Sequence, residues 1–430
     1  MRLAAVIAAA LALCGGGCAS VETGNDRVNP EEPLWFHRSS GAMQVIFTRS
    51  LTASSRVTGE AYERGRPEID PTRSRVFVGS SDGGLYALRA SNGSTLWRFE
   101  TVGAVQCEPL YDPELDIVYF GSNDGALYAV HALDGRLVWR YDTGAEVARK
   151  PVRVGESLYF ANAADNLFAI ARRTGQTLWR VHRTPALGME ISGYAGAAFD
   201  RGIVFFAYSD GHVAAYDARD GSEHWPPVDL SVEAEQSGGP EALRYLDVDT
   251  TPVADDLGAQ GRVIFVASYA GGLFAIDEDR GVPVWKSDRV TGVTDLTLWR
   301  EPAHRPHVTS SSDLAEGGPP VPARELLLAS SASTGLWGLD PATGRAVWRV
   351  PIPEGGVTAP APVAGALLVG TSRYGAFLLS PRDGRPIDGF DLGTGFSQTP
   401  AAFGDRAFML TNAGTLVALQ IGPSQLGLPR

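Results

Sequence analysis

Arg244, Asp247 and Asp249 bring three polar groups together in one short stretch, ALRYLDVDTTPVADD at 242–256. Aspartates two apart fall on one side of an extended strand. Paired there, they can accept charge-assisted hydrogen bonds from basic or amide-bearing groups of a partner. The same carboxylates can instead satisfy the amides of their own loop, and the residue pattern leaves both roles open. His304 and His307, in EPAHRPH, are the closest pair of histidines. Two imidazoles in a proline-rich loop make no metal centre without further ligands, and the sequence shows none. The chain contains no G-x-S-x-G, H-E-x-x-H, Walker loop or C-x-x-C-H. Cys107 stands in AVQCEPLYD, where a blade's first strand is expected to start, and reads as structural. Asp217, Asp277 and Asp340 recur at turns and read as acceptors for loop amides.

These residues sit in a strongly repetitive chain. Trp97, Trp139, Trp179, Trp225, Trp285 and Trp348 each stand four residues after a glycine: Gly93, Gly135, Gly175, Gly221, Gly281 and Gly344. Before each pair come two short apolar segments separated by a turn, as in VFVGSSDGGLYAL and VYFGSNDGALYAV. The segments are rich in β-branched and aromatic residues and too short for helices. The turn positions are Gly84, Gly125, Asn166, Gly211, Gly272, Gly335, Gly375 and Gly414, eight in all. Their spacing of about 40 residues suits a four-stranded propeller blade. Two longer intervals of 61 and 63 residues place insertions at about 226–248 and 286–324. Small residues such as Ala87, Ala129, Ala169, Ala275 and Gly338 alternate with large ones, as a strand packed between sheets requires. The Trp of each copy is expected to pack across a blade interface. The seventh copy lacks its Trp: Gly384 is followed by RPID. The eighth stops short of a last strand, so PLWFHRSS or GAMQVIFTRS, near the N-terminus, is expected to supply it and close the ring. The fold class is therefore all-β, an eight-bladed β-propeller of four-stranded antiparallel blades closed by an N-terminal strand.

A formal net charge of −12, without a basic patch, argues against nucleic-acid binding. Residues 1–17 read as a signal peptide, with Arg2 followed by the apolar LAAVIAAALAL. GGGC then resembles a lipoprotein processing site, with Gly15 where a large apolar residue is usual. Cys18 is the expected acylation site, and several acyl chains would anchor it stably. Ser20 lacks the Asp that favours inner-membrane retention, so the outer membrane is the expected destination. Residues 18–32 form the lipidated N-terminus and a polar tether, 33–422 the propeller and 423–430 a tail. With Cys14 removed and Cys18 acylated, no disulfide partner remains for Cys107.

SNDGALYAVHALDGRLVWRY, NLFAIARRTGQTLWR and GGLFAIDEDRGVPVW are similar to the repeat of pyrroloquinoline-quinone propellers. Together with Cys18 and RYLDVDTTPV between the fourth and fifth turns, they make the chain resemble the BamB family of outer-membrane assembly lipoproteins over roughly 33–420. The resemblance implies a non-catalytic subunit of the β-barrel assembly machinery, without cofactor or metal. It would act on the periplasmic side of the outer membrane with other machinery subunits, binding the POTRA domains of a BamA-like barrel subunit. It assigns Asp247 and Asp249, with Arg244 beside them, to the partner surface. The neighbouring loop PALGMEISG carries Leu187, Met189 and Ile191 as apolar contacts. It does not carry the Arg of the family pattern. Two other readings stand beside this one: a quinone-dependent dehydrogenase-like enzyme, and a generic extracytoplasmic binding propeller. The enzymes hold their quinone under adjacent cysteines above a calcium site, and this chain has no adjacent cysteines.

Overall fold

The computed structural model describes residues 40–51, 63–185, 195–230, 248, 250–269, 271–303 and 323–422. Their strands form eight four-stranded antiparallel sheets. First strands of neighbouring sheets adjoin around a common axis, making an eight-bladed propeller. Blades one to seven occupy 67–100, 110–142, 152–182, 198–229, 253–287, 293–350 and 361–390. Blade eight takes three strands from 401–421 and its outermost strand, Met43–Ser50, from the N-terminal side. Of the two expected closing segments, GAMQVIFTRS is the one that closes the ring. PLWFHRSS lies almost wholly outside the described residues.

The repeat has a direct packing explanation. Register places each Trp opposite the small residue of the preceding strand: Ala87 faces Trp97, Ala129 faces Trp139, and Gly338 faces Trp348. Side-chain volume is removed where the indole crosses. At Gly338 a Cβ would stand 2.3 Å from Trp348. Each indole then reaches into the next blade, donating its Nε1–H to a backbone carbonyl at 3.0 Å. Trp97 binds Ala132 O, Trp139 binds Arg172 O, and the four others follow suit. The acceptor turn contains the next blade's glycine. Gly135 has φ 71°, and a Cβ there would meet the Trp97 ring at 2.7 Å. Glycine is needed at this turn for its left-handed backbone and for the ring lying on it.

The two irregular copies follow from ring closure. In blade eight the closing strand sets Phe47 opposite Ala418, the Trp position, and Phe47 lies on Gly93 of blade one. In blade seven the Trp position is Asp388, opposite Leu378. The neighbouring outer edge here is the start of the closing strand, not a glycine turn. Asp388 holds that start: Oδ2 accepts Met43 N–H at 2.7 Å and Oδ1 accepts Ser40 N–H at 3.1 Å.

Apolar cores lie between blades, not inside a single centre. Separate buried clusters join blades one and two, two and three, three to five, five and six, six and seven, seven and eight, and eight and one. Burial of each large side chain contributes roughly 1.5–3 kcal/mol, so every interface stabilises its own two blades.

Three sequence readings need adjustment. In the first copy the left-handed residue is Gly83 (φ 80°), and Gly84 already begins a strand; in the third it is Asp165 (φ 52°) rather than Asn166. Pro226 and Pro227 belong to the outer strand Glu223–Asp229, not to an insertion. An outermost strand needs no amide donors on its free side, so prolines are tolerated there. The 286–324 interval is mostly strand at its start: Val293–Glu301 pairs with Arg324–Ser331 as far as Glu301 opposite Arg324. His304 and His307 lie outside the described residues. Cys107 precedes the first strand of its blade, which starts at Leu110.

Candidate partner-binding face

The described residues of the segments that lead from one blade's outer strand to the next blade's inner strand lie on one face of the ring. The connectors after blades one to four start with a tie to the hairpin of their own blade, through Thr101, Thr143, Arg183 and Leu230. Thr101 Oγ1 donates to Gly83 O at 3.0 Å, and Thr143 Oγ1 to Gly125 O at 3.0 Å. Each is also tied to the next blade's hairpin, as in Asn123 N–H to Ala104 O and Ala163 N–H to Glu146 O. At the fourth blade the connector's tie is a side chain, Arg183 donating to Asp210, and beside it Asp165 of the blade-three hairpin accepts Ser209 N–H at 3.3 Å and also the Ser209 hydroxyl.

The sequence-derived partner residues belong to two of these connectors. Leu187, Met189 and Ile191 fall in 183–197, and Arg244, Asp247 and Asp249 fall in 230–252. All six lie outside the described residues, as does Cys18. The ends of the two connectors meet: Gly196 N–H donates to Thr251 Oγ1 at 2.8 Å. The described residues of DVDT are structural. Val248 is fully buried. Thr250 Oγ1 accepts Ala267 N–H at 2.8 Å and donates to Ala267 O at 3.2 Å. The first paired strand of the blade that follows starts at Val253.

Sequence reasoning missed a charged cluster at the ring axis on this face. Asp295 of blade six accepts Arg149 Nη1 at 2.9 Å and Arg66 Nη2 at 3.4 Å. Lys150 bridges Glu68 at 2.8 Å and Glu108 at 3.1 Å. Arg66 also lies 3.6 Å from Glu108 and donates to Gln398 Oε1 at 2.9 Å. The groups line or adjoin a channel cavity of about 390 Å³. Burial opposes the Asp295 charge, but the two guanidiniums win and hold its carboxyl below the ordinary value. Burial likewise opposes Glu108, and Lys150 and Arg66 hold it low. At Glu68 burial dominates and the carboxyl is raised. Burial also pushes the Cys107 thiol up to about 12, and its Sγ–H donates to Arg149 O at 3.1 Å. Such a thiol is inert. Arg66, Glu108 and Lys150 each directly precede the proline that opens a blade, the one sequence signal that marked them.

Three acids and three cations pair across the axis and brace blade six against blades one to three. Asp217, Asp277 and Asp340 accept turn amides as expected, for example Asp340 Oδ1 from Ala342 N–H at 2.9 Å. Among the described residues no group of three or more His, Cys, Asp or Glu is arranged to hold a metal ion. The channel acid is already spanned by two guanidiniums. This donor set does not fit a calcium-held quinone.

The sequence profile of the family described as Outer membrane protein assembly factor BamB matches residues 114–299 and 288–422. The chain belongs to this BamB family. The BamB of Vibrio cholerae is 33% identical over 294 residues, covering 68% of this chain and 70% of that protein. The chain spans only about half, 53% and 50%, of two further BamB relatives. The crystal structure of BamB from Moraxella catarrhalis superposes with a TM-score of 0.66 at 17% identity, covering 88% of this chain and 99% of that one. A europium-containing methanol dehydrogenase superposes at 0.63 with 12% identity, over 92% and 95% of the two chains. At these identities both likenesses concern the ring alone.

Proposed function

We propose that this chain is a non-catalytic scaffold lipoprotein of the outer-membrane β-barrel assembly machinery. Acylated Cys18 anchors it to the periplasmic side of the outer membrane, and residues 18–32 tether the ring at 33–422. Its connector face binds the POTRA domains of a BamA-like barrel subunit, alongside other subunits, and assists insertion of outer-membrane proteins. Membership in the BamB family carries this reading. The meeting of the two relevant connectors at Gly196 and Thr251 supports it. In this reading Asp247 and Asp249 take basic or amide groups of the partner, with Arg244 beside them. Leu187, Met189 and Ile191 supply an apolar anchor from the adjacent connector.

The test is calorimetry of the ring against the POTRA domains. Asp247→Lys with Asp249→Lys should weaken binding by at least about 2 kcal/mol, in line with buried charge contacts, with an unchanged circular dichroism spectrum. Unchanged affinity on an intact fold would place the interface elsewhere. Loss of fold would show instead that these aspartates hold their own loop.

A further inference from the structure

The outer strands carry a second repeat, two residues after the Trp position. There most blades send an apolar side chain against the second and third strands of the next blade; the closing strand of blade eight carries Arg49 instead, opposite Leu416. Phe99 packs on Phe120 and Tyr128, and Tyr141 packs on Phe160 and Phe168. Val181 and Val228 pack into the cluster of blades three to five, Val350 into that of six and seven, and Phe390 against the cluster of seven and eight. Register places them two residues before the third-strand residue that faces the Trp position, as Phe99 faces Leu85; in blade four a bulge brings Val228, three residues after Trp225, to that place opposite Val213. In blade five that position is Ser287, opposite Leu273. A hydroxymethyl group cannot fill the space of a phenyl or isopropyl group. A groove of about 670 Å³ opens between blades five and six.

Its lining has a definite chemistry. Trp337 and Leu339 of blade six form an apolar floor; both belong to the core shared with blade five. Arg289 stands on the blade-five wall and Arg345 on the blade-six wall, both exposed. Neither guanidinium makes an ion pair or side-chain hydrogen bond among the described residues. Lys286 adds a third cation, paired with the one acid of the lining, Asp288, at 2.7 Å. The lining is thus net positive on a chain of formal charge −12. A volume of this size is in the usual range of ligand pockets. The cations stand on opposite walls with an apolar floor between them. That suits an extended segment whose carboxylates reach either side while an apolar side chain takes the vacant wedge position.

We propose that the blade five–six groove is a second binding site, which takes an acidic, apolar-bearing peptide segment of a partner protein. Its blade-five wall includes Asp288, Arg289 and Val290, from the connector between blades five and six, and it does not rest on the assignment of Asp247 and Asp249.

The test uses the full chain and a labelled peptide of alternating glutamate and leucine, followed by fluorescence polarisation. A second peptide replaces glutamate with lysine. Ser287→Phe restores the wedge found at Phe99 and Phe390; it should raise the melting temperature and weaken acidic-peptide binding at least about tenfold. Arg289→Glu with Arg345→Glu should weaken it similarly without changing the melting temperature, and this pair decides the matter if Ser287→Phe fails to fold. The lysine peptide should not bind. Equal binding of both peptides, or acidic-peptide binding unaffected by the charge reversal, would overturn the site. Full displacement by inorganic phosphate at millimolar concentration would also overturn it, showing a simple anion site instead.

Discussion

Asp295 joins blade six to Arg66 and Arg149, residues far away in sequence. Its carboxylate is held below the ordinary value by those cations. A depressed carboxylate contributes stability that is complete above its unfolded pKa, about 3.9, and is lost as pH falls through the folded value. Asp295→Asn should therefore cost about 1–3 kcal/mol at neutral pH, since it leaves two cations facing each other with no acid between them. The cost should shrink as pH drops below about 4, where the acid of the unfolded chain begins to protonate, and vanish only below the depressed folded value. Urea melts of both proteins at neutral and acid pH measure this. A pH-independent gap, or none, would show that the cluster does not brace the ring. Nothing in the sequence joined these residues, because their pairing depends on the angle between blades. Only the charged residues before the blade-opening prolines hinted at them.

At the scale of elements, the glycine–tryptophan spacing was legible because it is local chemistry: a left-handed turn and a ring four residues later. The partner of each ring was not legible, since it belongs to the next blade. The closing strand was narrowed to two segments by the truncated eighth copy. Choosing between them required seeing Phe47 in the Trp position and Asp388 holding the amides of Ser40 and Met43. The missing Trp of the seventh copy and the closing strand are thus one feature. Phe47→Ala should cost about 2–3 kcal/mol, below the range for truncating a fully buried aromatic because the ring is only partly buried. Asp388→Ala should cost about 1–3 kcal/mol by orphaning two amides. Both act on one strand, so the double variant should lose less than the sum. Hydrogen exchange should show 43–50 and 415–421 opening first in either variant. Uniform protection across all blades would contradict a distinct closure.

For the whole molecule, the proposed function makes ring and anchor separable. The closing strand begins at Met43, well after Cys18, so Cys18→Ala should release the protein from membranes without shifting its melting temperature. Mass spectrometry of the mature N-terminus should find acyl chains on Cys18. An unmodified cysteine there, or processing at another residue, would contradict the anchor. Removing residues 19–50 should instead strip blade eight of its outer strand and expose a sheet edge to other chains, giving oligomers on size exclusion. The family and the ring were readable from the repeats. The proposed partner contacts rest on six residues in two connectors whose described ends meet at Gly196 and Thr251. The central claim, a scaffold within the barrel-assembly machinery, is tested most directly by affinity purification of the tagged full-length chain from its native membranes in mild detergent. The account predicts stoichiometric recovery of the BamA-like barrel subunit, lost on reversing Asp247 and Asp249. Recovery of the chain alone, or with the barrel subunit equally abundant in the reversed variant, would contradict it.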